Sequence, residues 1–285
     1  MRLLIVHAYD REGRAALERA AATQPDRLYR RQLESLMPGV ACDVVHPADA
    51  DDQLPSGASL SDYDGIIWTG SSLTIHADAD PRVRRQVEFA RSAYVAGVPS
   101  FGSCWAAQVA VVAAGGRCAP SPRGREFGVT APIRLLGAGT SHPLFQGKPG
   151  PFVALASHAD EIIELPSGAT VLAANDHSAV QAVAVGHGRG TFWAVQYHPE
   201  YDLHEIARLS VVRRDELVRQ GTFADTDAAA AYVDALEMVH ADPTLHELAR
   251  AFGVDAPELG AEQRSIELRN WLTAQVLPRR VRFGT

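Results

Sequence analysis

The feature that most constrains this chain is an alternation in its first half. Very short apolar runs are separated by longer helix-forming stretches. Leu3 to Val6, Cys42 to Val45, Ile66 to Trp68 and Val98 to Phe101 are too short for helices and read as buried strands. Glu12 to Met37 is rich in Ala, Leu, Arg and Glu and reads as helix, interrupted near Pro25 and ended by Pro38-Gly39. Asp80-Pro81 offers a cap and a first-turn proline. Val83, Val87, Ala90 and Tyr94 then recur at helical spacing until Gly97. Trp105 to Ala114 reads as helix and ends at Gly115-Gly116. Such an alternation makes a parallel sheet covered by helices on both faces.

From about Arg117 the pattern changes. Phe127 to Leu136, Phe152 to Ser157, Thr170 to Ala174, Ala179 to Val185 and Thr191 to Tyr197 are closely spaced strand candidates, expected as antiparallel additions to the sheet. After Glu200 the sequence turns helical, near 204–219, 227–240, 244–252 and 261–277. Tyr232, Leu236 and Val239 form one narrow apolar stripe, and Leu245, Leu248 and Phe252 form another. Stripes this narrow suit helices packed on a larger body. The expected organisation is an α/β domain over residues 1–202 and a helical extension over 203–285 packed on it.

Composition narrows the function. A net charge of -7 and the lack of a basic run argue against a nucleic-acid partner. No stretch approaches the ~20 apolar residues of a membrane span, and the apolar N-terminal run is too short for a signal peptide. Cys42, Cys104 and Cys118 are too sparse for a disulfide framework or a zinc spacing. A soluble, cytoplasmic protein is therefore expected.

One of those cysteines is differently placed. In "VPSFGSCWAAQVAVVAAGG", Cys104 stands between a strand that ends in Gly102 and a long helix. That order matches a nucleophile elbow, a tight turn that lifts a side chain above the carboxyl edge of a parallel sheet. The following helix N-terminus favours negative charge on the sulfur, and the Trp105 N–H is free to meet an oxyanion. A base is needed from elsewhere. Of eleven histidines, His198 is the best placed, directly after the strand in "FWAVQYHPEYD". Glu200, two residues on across Pro199, can hold the imidazole N–H and set its tautomer.

Together "FGSCWAAQ" and "AVQYHPE" resemble the class I glutamine amidotransferase family, with its Gly-x-Cys-x-Gly-x-Gln and His-Pro-Glu signatures. "GREFGV" (Gly124 to Val129) and "ASHADEI" (Ala156 to Ile162) resemble segments of the branch containing the glutaminase half of GMP synthase. "IIWTGSS" (Ile66 to Ser72) falls where that family has its oxyanion loop. The resemblance implies a flavodoxin-like sheet, with Cys104 as nucleophile, His198 as general acid/base and Glu200 as its orienter. It implies an oxyanion hole from the Trp105 N–H and one from Gly70 or Ser71. It places Gln108, Glu126, Phe127 and Gly128 in a glutamyl pocket, with His158 and Asp160 near the entrance or a partner-facing surface. Two positions depart from the pattern. Ala106 replaces a glycine and is expected to crowd the pocket. Gly70-Ser71-Ser72 replaces a Gly-Gly-Pro-type loop, and Ser71 tolerates a positive φ less well than glycine.

The chemistry so implied is hydrolysis of a γ-glutamyl amide through a thioester, with no metal or organic cofactor. No ATP-pyrophosphatase or Walker-type loop is present to consume ammonia. One reading is a glutaminase-type subunit that serves a separate synthetase. The other is a free-standing hydrolase of a γ-glutamyl amine or peptide. A non-catalytic relative is the third.

Overall fold

The computed structural model describes residues 1–279. The short apolar runs are the sheet's centre. β1 (Arg2–Val6) lies parallel between β2 (Ala41–Val45) and β3 (Gly65–Trp68), and β3 continues parallel to β4 (Ser100–Ser103). Every residue of β3 and β4 is buried, as a strand covered on both faces requires.

Among the described residues, seven more strands begin from Arg117 onward before the last one. They are β5 (Arg117–Pro120), β6 (Glu126–Val129), β7 (Arg134–Leu135), β8 (Leu155–His158), β9 (Asp160–Glu164), β10 (Ala169–Ala174) and β11 (Ala182–His187). β12 (Gly190–Val195) is the last. The main sheet runs β2-β1-β3-β4-β12-β11-β10-β7. β12 is parallel to β4, whereas β11, β10 and β7 add antiparallel. The single strand expected over Phe127 to Leu136 is two, β6 and β7. They separate around Pro132, which cannot donate to a ladder. β6 pairs with β8, and β5 with β9, in small side ribbons.

The helix that breaks near Pro25 is α1 (Arg11–Arg19) followed by α2 (Pro25–Leu36), with proline in the first turn of the second. α3 (Pro81–Ala96) is capped by Asp80, whose carboxylate accepts the Arg82 N–H, and it ends at Gly97 with φ +68. α4 (Trp105–Ala113) follows β4 directly. Val83, Val87, Ala90 and Tyr94 pack with α4 against one face of the sheet.

The chain beyond Glu200 forms α5 (Leu203–Arg219), α6 (Thr226–Ala241), α7 (His246–Ala251), α8 (Ala261–Arg264) and α9 (Ile266–Trp271), which runs on in a wider π turn over Leu272–Val276. α9 covers the second sheet face beside α2. Leu268, Trp271, Leu272 and Val276 share a core with Leu3, Ile5, Ile67 and Phe101. The Trp271 indole lies so close to Gly65 that a Cβ there would sit 2.7 Å from it. α5, α6 and α7 pack elsewhere, with Tyr9, Leu17 and Leu28. Among the described residues no helix is long and apolar enough to cross a membrane.

Candidate active site

The parallel pairing of β4 with β12 decides what meets at the sheet edge. Ser103 stands opposite Val195, so both strands release their next residues on the same side. Cys104 leaves β4 there, and its N–H donates to the Val195 carbonyl at 2.7 Å. Its backbone lies at φ 54, ψ -101. Apart from glycines, only Ala21 and Cys104 have positive φ among the described residues. A non-glycine residue held there costs on the order of 1–3 kcal/mol and persists only where its surroundings enforce it. Gly102 is part of that enforcement, since a Cβ on it would overlap the Trp68 carbonyl and come 2.5 Å from the Ala106 Cβ.

His198 follows β12 and is buried with Glu200. The His198 Nδ1 and Glu200 Oε1 are 2.7 Å apart, which leaves Nε2 as the nitrogen free for chemistry. Burial alone would lower the His198 pKa, but the Glu200 carboxylate and the Cys104 sulfur outweigh it and raise the value to about 9. The same Glu200 oxygen accepts the Ser103 hydroxyl at 2.7 Å, and Ser103 in turn accepts the Tyr29 hydroxyl at 3.0 Å. The Tyr201 ring stacks on the imidazole with centroids 3.8 Å apart and planes 4° from parallel. Gly70 packs under the imidazole, and a Cβ on it would lie 2.7 Å from His198 Cε1.

Cys104 opens on a narrow cleft walled by Ser71, Ser72, Gln108, Arg125, Asp160 and Arg213, among others. The Cys104 sulfur lies 3.8 Å from the Ser157 carbonyl oxygen. The Trp105 indole turns away into the core, where its N–H donates to Gln86 at 2.8 Å. Its backbone N–H occupies the first position of α4, which has no intrahelical acceptor. Ser71 braces its loop by donating to the Ala8 carbonyl at 3.0 Å and accepting the Leu73 N–H at 3.2 Å. Ser71 does not have a positive φ, so the strain expected at that position is absent. The Ala106 methyl does not crowd the cleft either; it faces Gly102 in the protein interior.

The residues expected in the glutamyl pocket fall into two groups. Gln108 lines the cleft and donates to the Asp160 carbonyl at 3.4 Å. His158 and Asp160 line the same cleft. Glu126, Phe127 and Gly128 are not part of that wall. Successive side chains of β6 point to opposite sides. Glu126 is turned into a buried network, accepting from Asn175 at 2.7 Å and Gln181 at 2.6 Å and meeting His158 Nε2 at 2.9 Å. Burial would raise its carboxyl pKa, but these partners, His158 foremost, hold it below its ordinary value. Phe127 packs towards α5 and α6, and Gly128 lies under the Tyr232 hydroxyl with φ +81.

Sequence reasoning did not single out Ser103, Tyr29, Tyr201, Arg125 or Arg213. Arg125 lies inside the quoted "GREFGV", and Tyr201 follows His198 closely enough to have drawn notice. Arg213 had a subtler mark, a charge on the stripe where α5 buries Ile206, Leu209 and Leu217. No residue pattern pointed to Tyr29. Among the described residues no three His, Cys, Asp or Glu are grouped as metal ligands. Larger cavities exist, including one of about 470 Å³ behind Glu200, but Cys104 does not line it.

Comparison with known proteins agrees with this architecture. The family described as glutamine amidotransferase class-I matches residues 27–209. A gamma-glutamyl-L-1-hydroxyisopropylamide hydrolase from a Pseudomonas species is 34% identical over 286 residues, covering 98% of this chain and 94% of its own. A glutamine-hydrolyzing GMP synthase from Leifsonia xyli is 35% identical over 137 residues, covering 48% of this chain and only 25% of the synthase. Among solved structures, a glutamine amidotransferase from Thermotoga maritima superposes with a TM-score of 0.66 at 14% identity, covering 97% of this chain and 98% of its own. One from Methylobacillus flagellatus gives 0.64 at 18% identity, covering 95% and 93%. The likeness to the Pseudomonas hydrolase and to the two solved structures extends from the sheet into the helices after Glu200. The chain belongs to the class I glutamine amidotransferase family and is an enzyme of the C–N hydrolase type.

Proposed function

We propose that this chain is a free-standing hydrolase of γ-glutamyl amides, with Cys104, His198 and Glu200 as its triad. The Cys104 sulfur attacks the amide carbon, and the oxyanion that forms is met by the Trp105 and Ser71 backbone N–H groups. The C–N bond then breaks, and His198 gives a proton to the departing amine. The resulting glutamyl thioester is cleaved by a water that His198 deprotonates, and glutamate leaves with the thiol restored. Glu200 holds the imidazole tautomer and stabilises the imidazolium between those steps.

One observation carries the hydrolase over the ammonia-donating reading. The Pseudomonas hydrolase aligns along 98% of the chain, including the helices after Glu200, whereas the Leifsonia synthase aligns along 48%. The synthase likeness supports the second reading, in which glutamine is the substrate and a separate synthetase takes the ammonia. Free cysteines at 42 and 118 are compatible with a reducing cytoplasm for either.

The two readings separate in one assay. Purified protein is given glutamine and a series of γ-glutamyl alkylamides, and glutamate release is followed without any added partner. The hydrolase reading expects the alkylamides to be cleaved with kcat/KM above that for glutamine. Glutamine as the only substrate, stimulated by an added synthetase, would replace it with the second reading.

A further inference from the structure

A charge on the buried side of a helix needs a reason. Arg213 occupies the α5 stripe that otherwise buries Ile206, Leu209 and Leu217, and its side chain is only 15% exposed. Its guanidinium lies 3.4 Å from Glu216, and its Nε is buried without a hydrogen-bond partner among the described residues. Arg125 reaches the same Glu216 from the other side at 2.9 Å, with its side chain 9% exposed. Both arginines wall the cleft onto which Cys104 opens. Two guanidiniums therefore share one carboxylate beside the sulfur, and one positive charge is left over in a poorly hydrated place. A bound anion would offset it. Among the cleft-wall residues the only carboxylate is Asp160.

We infer that Arg213, with Arg125 beside it, anchors the α-carboxylate of the glutamyl group and so selects γ-glutamyl substrates over other amides. The inference rests on the γ-glutamyl reading above and adds which residue enforces it. A γ-glutamyl amide carries a carboxylate and an ammonium at one end and the scissile amide at the other. The guanidinium fork suits the carboxylate, Asp160 offers the opposite charge for the ammonium, and Cys104 meets the amide. Arg213 lies beyond the 27–209 span that the family matches, on a helix supplied by the extension. Glu216 keeps Arg125 as a partner when Arg213 is replaced, so the change does not strand a carboxylate.

The test compares γ-glutamyl isopropylamide with N-isopropyl-4-aminobutanamide, which differs only in lacking the carboxylate. Wild-type protein is expected to prefer the first by about 100-fold or more in kcat/KM. R213M should cut that preference by about 10- to 100-fold, mainly through KM, as loss of a charge-assisted hydrogen bond predicts. R213K should fall between. The melting temperature should stay near wild type. A full preference retained in R213M would reduce Arg213 to a structural partner of Glu216 and overturn the inference. A wild-type preference near one would overturn it without any variant. Wild-type protein that cleaves neither compound would instead overturn the γ-glutamyl reading, and the anchor with it.

Discussion

At the scale of the residue, the site is a chain of small constraints around one sulfur. Cys104 is held in a backbone conformation few side chains adopt, and His198 is held between Glu200, Tyr201 and Gly70. The raised His198 pKa has a consequence for stability. An unfolded histidine titrates near ~6.5, whereas His198 in the folded protein titrates at about 9. The folded state therefore holds its proton more tightly. The resulting stability is fully present below pH ~6.5 and is lost as pH rises through the folded value, a contribution of up to about 3 kcal/mol. The melting-temperature gap between wild type and His198→Gln should accordingly be wider at pH 6 than at pH 10. An equal gap at both pH values would contradict the charged pairing with Glu200. Cys104, His198 and Glu200 were legible in the sequence because each sits in a local pattern. Ser103 and Tyr29 were not, because the Ser103 bond to Glu200 spans 97 residues of chain and the Tyr29 bond to Ser103 spans 74.

At the scale of the element, the turn between β4 and α4 does most to set the chemistry. The sequence order strand, Gly102, Cys104, helix was readable because it needs only neighbouring residues. The exact fit was not, since Gly102 is glycine on account of Trp68, which belongs to another strand. Gly102→Ala should therefore distort the elbow, destabilise the protein by about 1–3 kcal/mol and remove most of the activity. A variant with wild-type melting temperature and rate would show that the turn has room to spare. Buried strands such as β1 and β3 were legible as apolar runs, whereas β5 and β9 were missed. β5 has Arg117 and Pro120 exposed at its ends, and β9 carries two of its acids at its ends, so neither shows a continuous apolar run. The packing of Phe127 against the later helices was hidden for the same reason. Which side of β6 faces Cys104 depends on α5 and α6, far along the chain.

At the scale of the whole molecule, the helices after Glu200 complete the fold that the first 200 residues begin. Lys148 and Glu267 form an ion pair at 3.0 Å with side chains 2% and 0% exposed, and the Tyr197 hydroxyl donates to the same carboxylate at 2.5 Å. Removing residues after Asp202 would strand Lys148, at a cost of about 3–5 kcal/mol for a broken buried pair. It would also uncover Leu268, Trp271, Leu272 and Val276, each worth about 1.5–3 kcal/mol of burial. That sum rivals a domain's whole margin of about 5–15 kcal/mol, so the shortened chain should be insoluble or unfolded. A shortened chain with an unchanged melting temperature would mean that the helices are an independent appendage. The helical stripes showed in the sequence; that Trp271 lies on Gly65 at the sheet centre did not, because 206 residues separate them. If the proposed chemistry holds, this protein, alone, carries a glutamyl group on Cys104 during turnover. Acid-quenching the enzyme within its first turnovers of a γ-glutamyl alkylamide, followed by peptide mass spectrometry, tests that directly. A glutamyl thioester on the Cys104 peptide is expected, with one equivalent of amine released in a burst. Amine release with no adduct in wild type and full activity in Cys104→Ala, or an adduct on Cys42 or Cys118, would contradict it.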